Sequence, residues 1–537
     1  MENVALLTFL LFLVSILALL SERVKMPLPI LQVLVGLGIS LIPNLPNIVL
    51  TPDIVFVIFL PPLLYSAAWY TSWHDFRANL RPISLAAFGL VFFTTTAVAV
   101  CAKYFIPGLS WAECFLLGAI VSPPDAVAAN AVLKGMSIHP RVITLLEGES
   151  LLNDASGLIA YKYALAALTT GSFILWEASL QFVWVVVAGT AIGLSVAYLV
   201  HWLHKNLIRN ATIDATFTLL TPYMAYLLAE SVHVSGVLAV VSAGLYLTYR
   251  SDELFDHDSR IKAYALWDTI IFMLNGLVFI LIGFQLSHIL NNLWAYRWSS
   301  LLFYGTLISI ATIVARFVWV YPAALIPRWL SKTIRERETF DIRLVFVFSW
   351  TGMRGVVSVA AALALPLTVN NGVPYENRSL LIFITFFVVL VTLVLQGSTL
   401  PMIIEWLRLP PYSELIEEYE TRQKVLNASV AYIEENLAGI EDEALSRLKL
   451  KYEMKYKKLN KTDLPSNYFE ELGEEDEEAE AVTDLFNRFT YLQLELIREE
   501  RKTLRLMRKK GIVSDEIVRK IVYELDLEEA SLRVDLD

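Results

Sequence analysis

Apolar residues dominate the chain from near its start to about residue 405, in long runs broken by short polar or Gly/Pro-bearing stretches. A hydrocarbon core about 30 Å thick needs roughly 20 predominantly apolar residues in a helix. Thirteen segments fit: 4–20, 27–43, 48–69, 82–102, 112–133, 142–168, 179–200, 213–230, 233–249, 264–288, 298–325, 343–366 and 379–405. The first reads as a span and not a cleaved leader, because Met1-Glu2-Asn3 has no basic charge and no small-residue cleavage site follows. After Pro410 and Pro411 the pattern changes to long amphipathic helices with an acidic run from Glu470 to Glu480. Ser514 ahead of Asp515 and Glu516 predicts a helix start there. The expected fold is therefore an all-α polytopic membrane protein with about thirteen transmembrane helices and a helical tail.

Composition sharpens this division. The chain is 56% hydrophobic and 18% charged, against about 45–50% and about 25% in soluble domains. Residues 406–537 hold 21 Lys/Arg and 31 Asp/Glu, and the first 405 hold 22 of each, so the tail carries the whole net charge of −10. Two domains are expected, 1–405 in the membrane and a charged helical domain over 406–537. Two cysteines, Cys101 and Cys114, frame no disulfide scaffold. No basic excess exists to hold nucleic acid.

The basic residues also orient the chain. With the N-terminus outside, 16 Lys/Arg fall in cytoplasmic loops and 3 (Lys103, Arg297 and Arg378) in outer ones, a strong positive-inside bias. The tail then lies in the cytoplasm. Three basic residues remain at membrane depth, Lys162, Arg316 and Arg354, alongside Asp125, Glu147, Glu149 and Asp154. Each costs roughly 2.5–3.5 kcal/mol at mid-membrane even on lenient scales, which makes each a functional candidate. Arg316 is expected to snorkel toward the cytoplasmic side, and Lys162, two turns beyond Asp154, to neutralise a neighbouring acid.

Three stretches concentrate the chemistry. In the fifth segment, Val121-Ser122-Pro123-Pro124-Asp125-Ala126 breaks a helix, since two prolines remove two donors. Bilayers tolerate this only where the backbone faces protein or a wet cavity. In the sixth, Glu147, Ser150 and Asp154 share one helical face, with Glu149 and Asn153 on the adjoining stripe. In the twelfth, Thr351-Gly352-Met353-Arg354-Gly355 places two glycines around an arginine and predicts a second interruption. Asp125 and Arg354 can compensate opposite half-helix ends. Two broken helices in separate halves point to an inverted-repeat transporter with a midplane site.

Together with Leu60-Pro61-Pro62-Leu63-Leu64, Val234-Ser235-Gly236-Val237 and Asn275-Gly276-Leu277-Val278-Phe279, these stretches resemble the sodium/proton exchanger branch of the monovalent cation/proton antiporters, NhaP-like bacterial members included. The most specific match is Gly148-Glu149-Ser150-Leu151-Leu152-Asn153-Asp154. The resemblance implies alternating-access exchange of Na⁺, or Li⁺ or K⁺, for H⁺, with both ions competing at Asp154. Asn153 marks electroneutral exchange, Ser150 and Asp125 line the ion site, and Glu149 pairs with Arg354. It also implies a homodimer in the cell membrane, with a core domain moving against a dimerisation domain.

The chain departs from the pattern twice: Ser66 stands where many prokaryotic relatives carry an acid, and Pro124 where a Thr is usual. Both bear on Na⁺ against K⁺ preference, and Glu147 is an extra acid that can compensate. A potassium/proton antiporter, a cation channel and a membrane-embedded enzyme are the alternatives. No Walker A sequence, HExxH spacing or Cys cluster occurs, so neither an ATP-driven pump nor a cofactor is expected.

Overall fold

The computed structural model describes residues 2–24, 26–40, 42, 54–133, 136, 138–170, 175–208, 210–290, 293, 296–330, 332, 341–369, 373–409, 414–436, 443–459 and 479–534. Residues 48–53 of the third predicted segment, Lys134, Arg209, Arg335, Arg337, Pro410, Pro411 and most of the acidic run lie outside them.

Helices stand in all thirteen predicted places. They are α1 (Glu2–Val24), α2 (Leu28–Ser40), α3 (Phe56–Tyr70), α4 (Leu80–Phe105), α5 in two pieces (α5a, Trp111–Val121; α5b, Ala126–Leu133), α6 (Pro140–Thr170) and α7 (Leu175–Asn206). There follow α8 (Ala211–Ser231), α9 (Gly236–Leu254), α10 (His257–Leu290), α11 (Trp298–Leu330), α12 in two pieces (α12a, Ile342–Trp350; α12b, Val356–Leu363) and α13 (Arg378–Leu407). The only strand pairing among the described residues joins Thr368–Val369 to Val373–Pro374. Among the described residues, seven helices are long and apolar enough on their own to cross a membrane. α6 is not among them, because it carries Glu147, Glu149, Asp154 and Lys162.

Burial sorts the helices by layer. The most apolar windows of α5 and α13 are 72% buried inside the protein, whereas that of α1 is 17% buried. Phe12, Trp184 and Val314 are exposed on α1, α7 and α11, which suits a lipid-facing surface. Around α5, the helices α4, α6, α12b and α13 pack closely. Wide π-type turns interrupt α4 at Leu85–Leu90 and α13 at Thr392–Gln396. The carbonyls loosened in α4 are taken up from neighbouring helices, Leu85 O by Trp319 Nε1 at 3.0 Å and Ala87 O by Ser156 Oγ at 2.5 Å. Elsewhere backbones touch: a Cβ on Gly36 would strike Ile280 O, one on Gly283 would strike Val33 O, and one on Gly193 would strike Ala239 O.

The chain divides into two compact units. The first is residues 1–209, 216–254 and 265–411; the second joins 412–537 to 210–215 and 255–264. In the second, α14 (Glu414–Asn436), α15 (Glu443–Leu459), α16 (Ala479–Lys509) and α17 (Asp515–Val534) pack through Val425, Ile497, Leu504, Ile517 and Ile521 and through Leu426, Leu448 and Leu496. α17 begins at Asp515, directly after Ser514, as expected. The basic stretch of α16 is engaged with carboxylates of this unit: Arg501 with Asp526 and Glu529, and Arg508 with Asp515. Arg260 adds a bidentate pair to Asp526 at 2.7 Å through both Nε and Nη2.

Burial alone raises the Glu529 carboxyl, but Arg501, Arg533 and His257 outweigh it and hold it below the usual carboxylate range. Lys455 and Lys451 do the same for Glu528. Such groups stabilise the unit above their ordinary pKa, and that contribution is lost as pH falls through the depressed value. Glu500, pushed up by burial, offsets part of the loss. Hydrogen exchange of the α17 amides, corrected for intrinsic rates, should therefore show protection at neutral pH that collapses in acid below the carboxylate range. Asp526→Ala, which takes the carboxylate from Arg260 and leaves Arg501 only Glu529, should cost about 3 kcal/mol of that protection at pH 7.

Candidate ion-binding site

Pro123 and Pro124 end α5a, and the chain runs through Ser122–Asp125 before α5b starts. α12 opens between Thr351 and Gly355. The two openings meet: Asp125 N donates to Met353 O at 2.7 Å. Gly355 permits this approach, since a Cβ there would collide with the Asp125 carboxylate.

Each break leaves one carbonyl-rich, negative end and one N–H-rich, positive end buried away from water. Asp125 serves both positive ends. Its Oδ1 accepts from Val127 N at 2.8 Å at the start of α5b, and its carboxylate also accepts from Val356 N at the start of α12b. Ser150 Oγ accepts from Ala126 N at 3.4 Å. The negative ends take arginines. Arg354 Nε donates to Val121 O at 3.0 Å, and its Nη1 donates to Gly352 O. Arg316 donates to Phe348 O at the end of α12a, from Nη2 at 3.1 Å and Nε at 3.3 Å.

The expected Glu149–Arg354 pair is not formed. Glu149 is held instead by Arg316, Nη1 to Oε1 at 2.5 Å and Nη2 to Oε2 at 2.7 Å, with both side chains 1% exposed. Glu149 of α6 reaches Arg316 of α11, and Arg354 is already committed to backbone carbonyls and, through its own N–H, to Thr392 Oγ1 at 3.1 Å. Arg316 does not snorkel; it lies wholly buried, its guanidinium 4.9 Å from the Phe348 ring centre.

Asn153 and Asp154 occupy α6 beside the crossing. Asn153 is fully buried; its Nδ2 donates to Pro124 O at 2.9 Å, while its Oδ1 has no hydrogen-bond partner among the described residues. Asp154 is 7% exposed, near enough to Asp125 for the two charges to interact. Thus Pro124, Asp125, Ser150, Asn153 and Asp154 come together. Glu147 stands aside, accepting from Asn130 Nδ2 at 3.0 Å. Ser66 donates within its own helix to Leu63 O at 2.8 Å. Lys162 is exposed and lies 3.6 Å from Glu230, so it does not serve the site. Sequence reasoning missed the placement of Arg316 and also Thr392 and Gln396, whose four-residue spacing in an apolar span was the available signal. Gln396 is fully buried, and neither of its polar side-chain atoms has a partner among the described residues.

An arginine–glutamate pair buried on both sides is costly to break singly, about 3–5 kcal/mol, because the survivor keeps an uncompensated charge. Glu149→Gln and Arg316→Met should each lower the thermal midpoint of the purified protein sharply. Glu149→Gln combined with Arg316→Met should recover much of that loss, whereas Glu149→Gln with Arg354→Met should be worse than either single change.

The comparisons agree with this architecture. The family description "Sodium/hydrogen exchanger, transmembrane" matches residues 9–406. The chain is 30% identical over 526 residues to an uncharacterised Na(+)/H(+) exchanger of Mycobacterium bovis, covering 96% of this chain and 93% of that protein. It is 32% identical over 388 residues to a sodium, potassium, lithium and rubidium/H(+) antiporter of Bacillus pumilus, covering 71% of this chain and 58% of that one. A similar fold is found in the sodium proton antiporter MjNhaP1 of Methanocaldococcus jannaschii at pH 8, with a TM-score of 0.59, 20% identity, and coverage of 76% of this chain and 99% of that one. The chain belongs to the sodium/hydrogen exchanger family and is a multi-pass cation/proton antiporter.

Proposed function

We propose that the chain exchanges one Na⁺ for one H⁺ by alternating access, with Li⁺ and K⁺ as further substrates, and that Asp154 carries either ion. The observation that supports this most is the surroundings of Asp154. It is a buried carboxylate beside Asp125, Ser150 and the Asn153 oxygen, which has no partner among the described residues, and the nearby arginines are engaged elsewhere. A carboxylate held out of water is costly unless something neutralises it. A proton does so, and so does a small cation with hard oxygen ligands, but both cannot be held at once. If only the neutralised site crosses, exchange is obligatory. Asn153 adds no second charge, which supports an electroneutral cycle. The K⁺ preference of a potassium/proton antiporter remains the alternative substrate reading, in view of the K⁺ in the name of the Bacillus relative.

The chain is a transporter with no chemical step that serves pH regulation from the cell membrane, with the N-terminus outside and the 406–537 domain in the cytoplasm. The family resemblance supports a homodimer in which the Asp154-bearing core moves against the remaining helices.

Proteoliposomes carrying an internal pH dye test the central point. Adding Na⁺, Li⁺ or K⁺ should release protons without membrane current, and the order of response gives the preferred cation. Asp154→Asn should fall to the level of empty liposomes; normal exchange by that variant overturns the assignment. Asn153→Asp should introduce a measurable current, because it adds a second charge beside that of Asp154. Cation current without proton movement in the unaltered protein would favour a channel.

A further inference from the structure

A cleft of about 170 Å³, open on one side, lies between α4, α6, α11 and α12a. Its mouth carries Arg81, Arg141 and Arg328, and its walls include Leu85, Leu145, Trp319, Ala323 and Phe348. None of these is among the residues gathered around Asp154.

The arrangement is ordered by depth. Arg81 is in the first turn of α4, Arg141 in the first turn of α6 and Arg328 in the last turn of α11. All three therefore sit where these helices leave the membrane on one side. Leu85 and Leu145 lie one turn further in, about 6 Å at 1.5 Å per residue, and Trp319 nine residues in, about 13 Å. The Trp319 indole N–H is spent on Leu85 O, so its ring offers the cleft only apolar surface. Arg141 is oriented by Asn79, whose Oδ1 accepts from its Nε at 3.1 Å. Asp341, the acid among the described lining residues, is held by Arg343 from Nε at 3.0 Å and from Nη2 at 2.7 Å. The positive end of α6 adds to the field there.

A basic mouth at the level of helix ends, leading to an apolar wall, matches an amphiphile with an anionic head. A free anion would have no use for the wall, and a neutral lipid none for three arginines. We propose that this cleft binds an anionic glycerophospholipid, its phosphate among Arg81, Arg141 and Arg328 and the start of one acyl chain against Leu85, Trp319 and Phe348.

Native mass spectrometry of the full chain in detergent, titrated with phosphatidylglycerol or phosphatidylcholine, reads the site directly. The unaltered protein should bind phosphatidylglycerol more tightly than phosphatidylcholine. An arginine near an anionic surface is worth about fivefold, so R81Q/R328Q should weaken phosphatidylglycerol about thirtyfold and phosphatidylcholine, whose choline offsets its phosphate charge, far less. Ala323→Phe, which fills the apolar half and keeps every arginine, should also weaken phosphatidylglycerol. Cation-driven proton flux in each variant checks that it is folded; if the double variant is inactive, the Ala323→Phe titration decides. Equal binding of the two lipids, unaltered phosphatidylglycerol binding in folded variants, or stabilisation by inorganic phosphate alone equal to that by phosphatidylglycerol would overturn the proposal.

Discussion

Burying the ends of broken helices is the constraint from which the membrane unit follows. A membrane interior offers no water to an orphaned N–H or carbonyl, so each end must be met by protein. Here Asp125 takes the two positive ends, and Arg354 and Arg316 one negative end each. Glu149 then balances the second arginine. Those four charges cancel, and the scaffold is neutral before Asp154 is considered. Asp154 stands outside this set, and its charge holds none of these helix ends.

Much of this was legible in the sequence. Prolines at 123 and 124 and glycines at 352 and 355 announce both breaks, because their effects are local: a missing donor, a missing Cβ. The facing of Asp125, Ser150, Asn153 and Asp154 follows from helical periodicity and from where α5 opens. The thirteen-helix order was readable for the same reason, since span length is set by the bilayer. What could not be read was partner choice between distant helices. Glu149 meets Arg316 and not Arg354, and that depends on how α6 and α11 rotate toward each other. Arg316 lies in a 33-residue helix, longer than a span, so its position along the sequence did not set its depth. Ser66 and Lys162 show the converse: suitable residues at suitable spacing, spent on Leu63 and Glu230.

The second unit obeys different rules with the same residue types. Its helices meet through an apolar seam, and its charges form cross-helix sets such as Arg422 with Glu418 and Glu524 and Lys451 and Lys455 with Glu528. Most of these pairs keep some contact with water, where a single pair adds little. The exception is the Arg260, Arg501 and Asp526 group, buried enough for loss of one member to matter. Net charge, the most conspicuous property of the composition, therefore describes this unit and is silent about the transported ion.

The glycine contacts between α2 and α10 and between α7 and α9 bear on how the molecule can move. Where Gly36 and Gly283 bring two backbones together, and Gly193 does so against Ala239, no layer of side chains lies between the helices. Sliding past one another needs such a layer, whose rotamers absorb small displacements. These helices are consequently geared as couples. Conformational change in this chain therefore falls outside these couples, each of which moves as one piece.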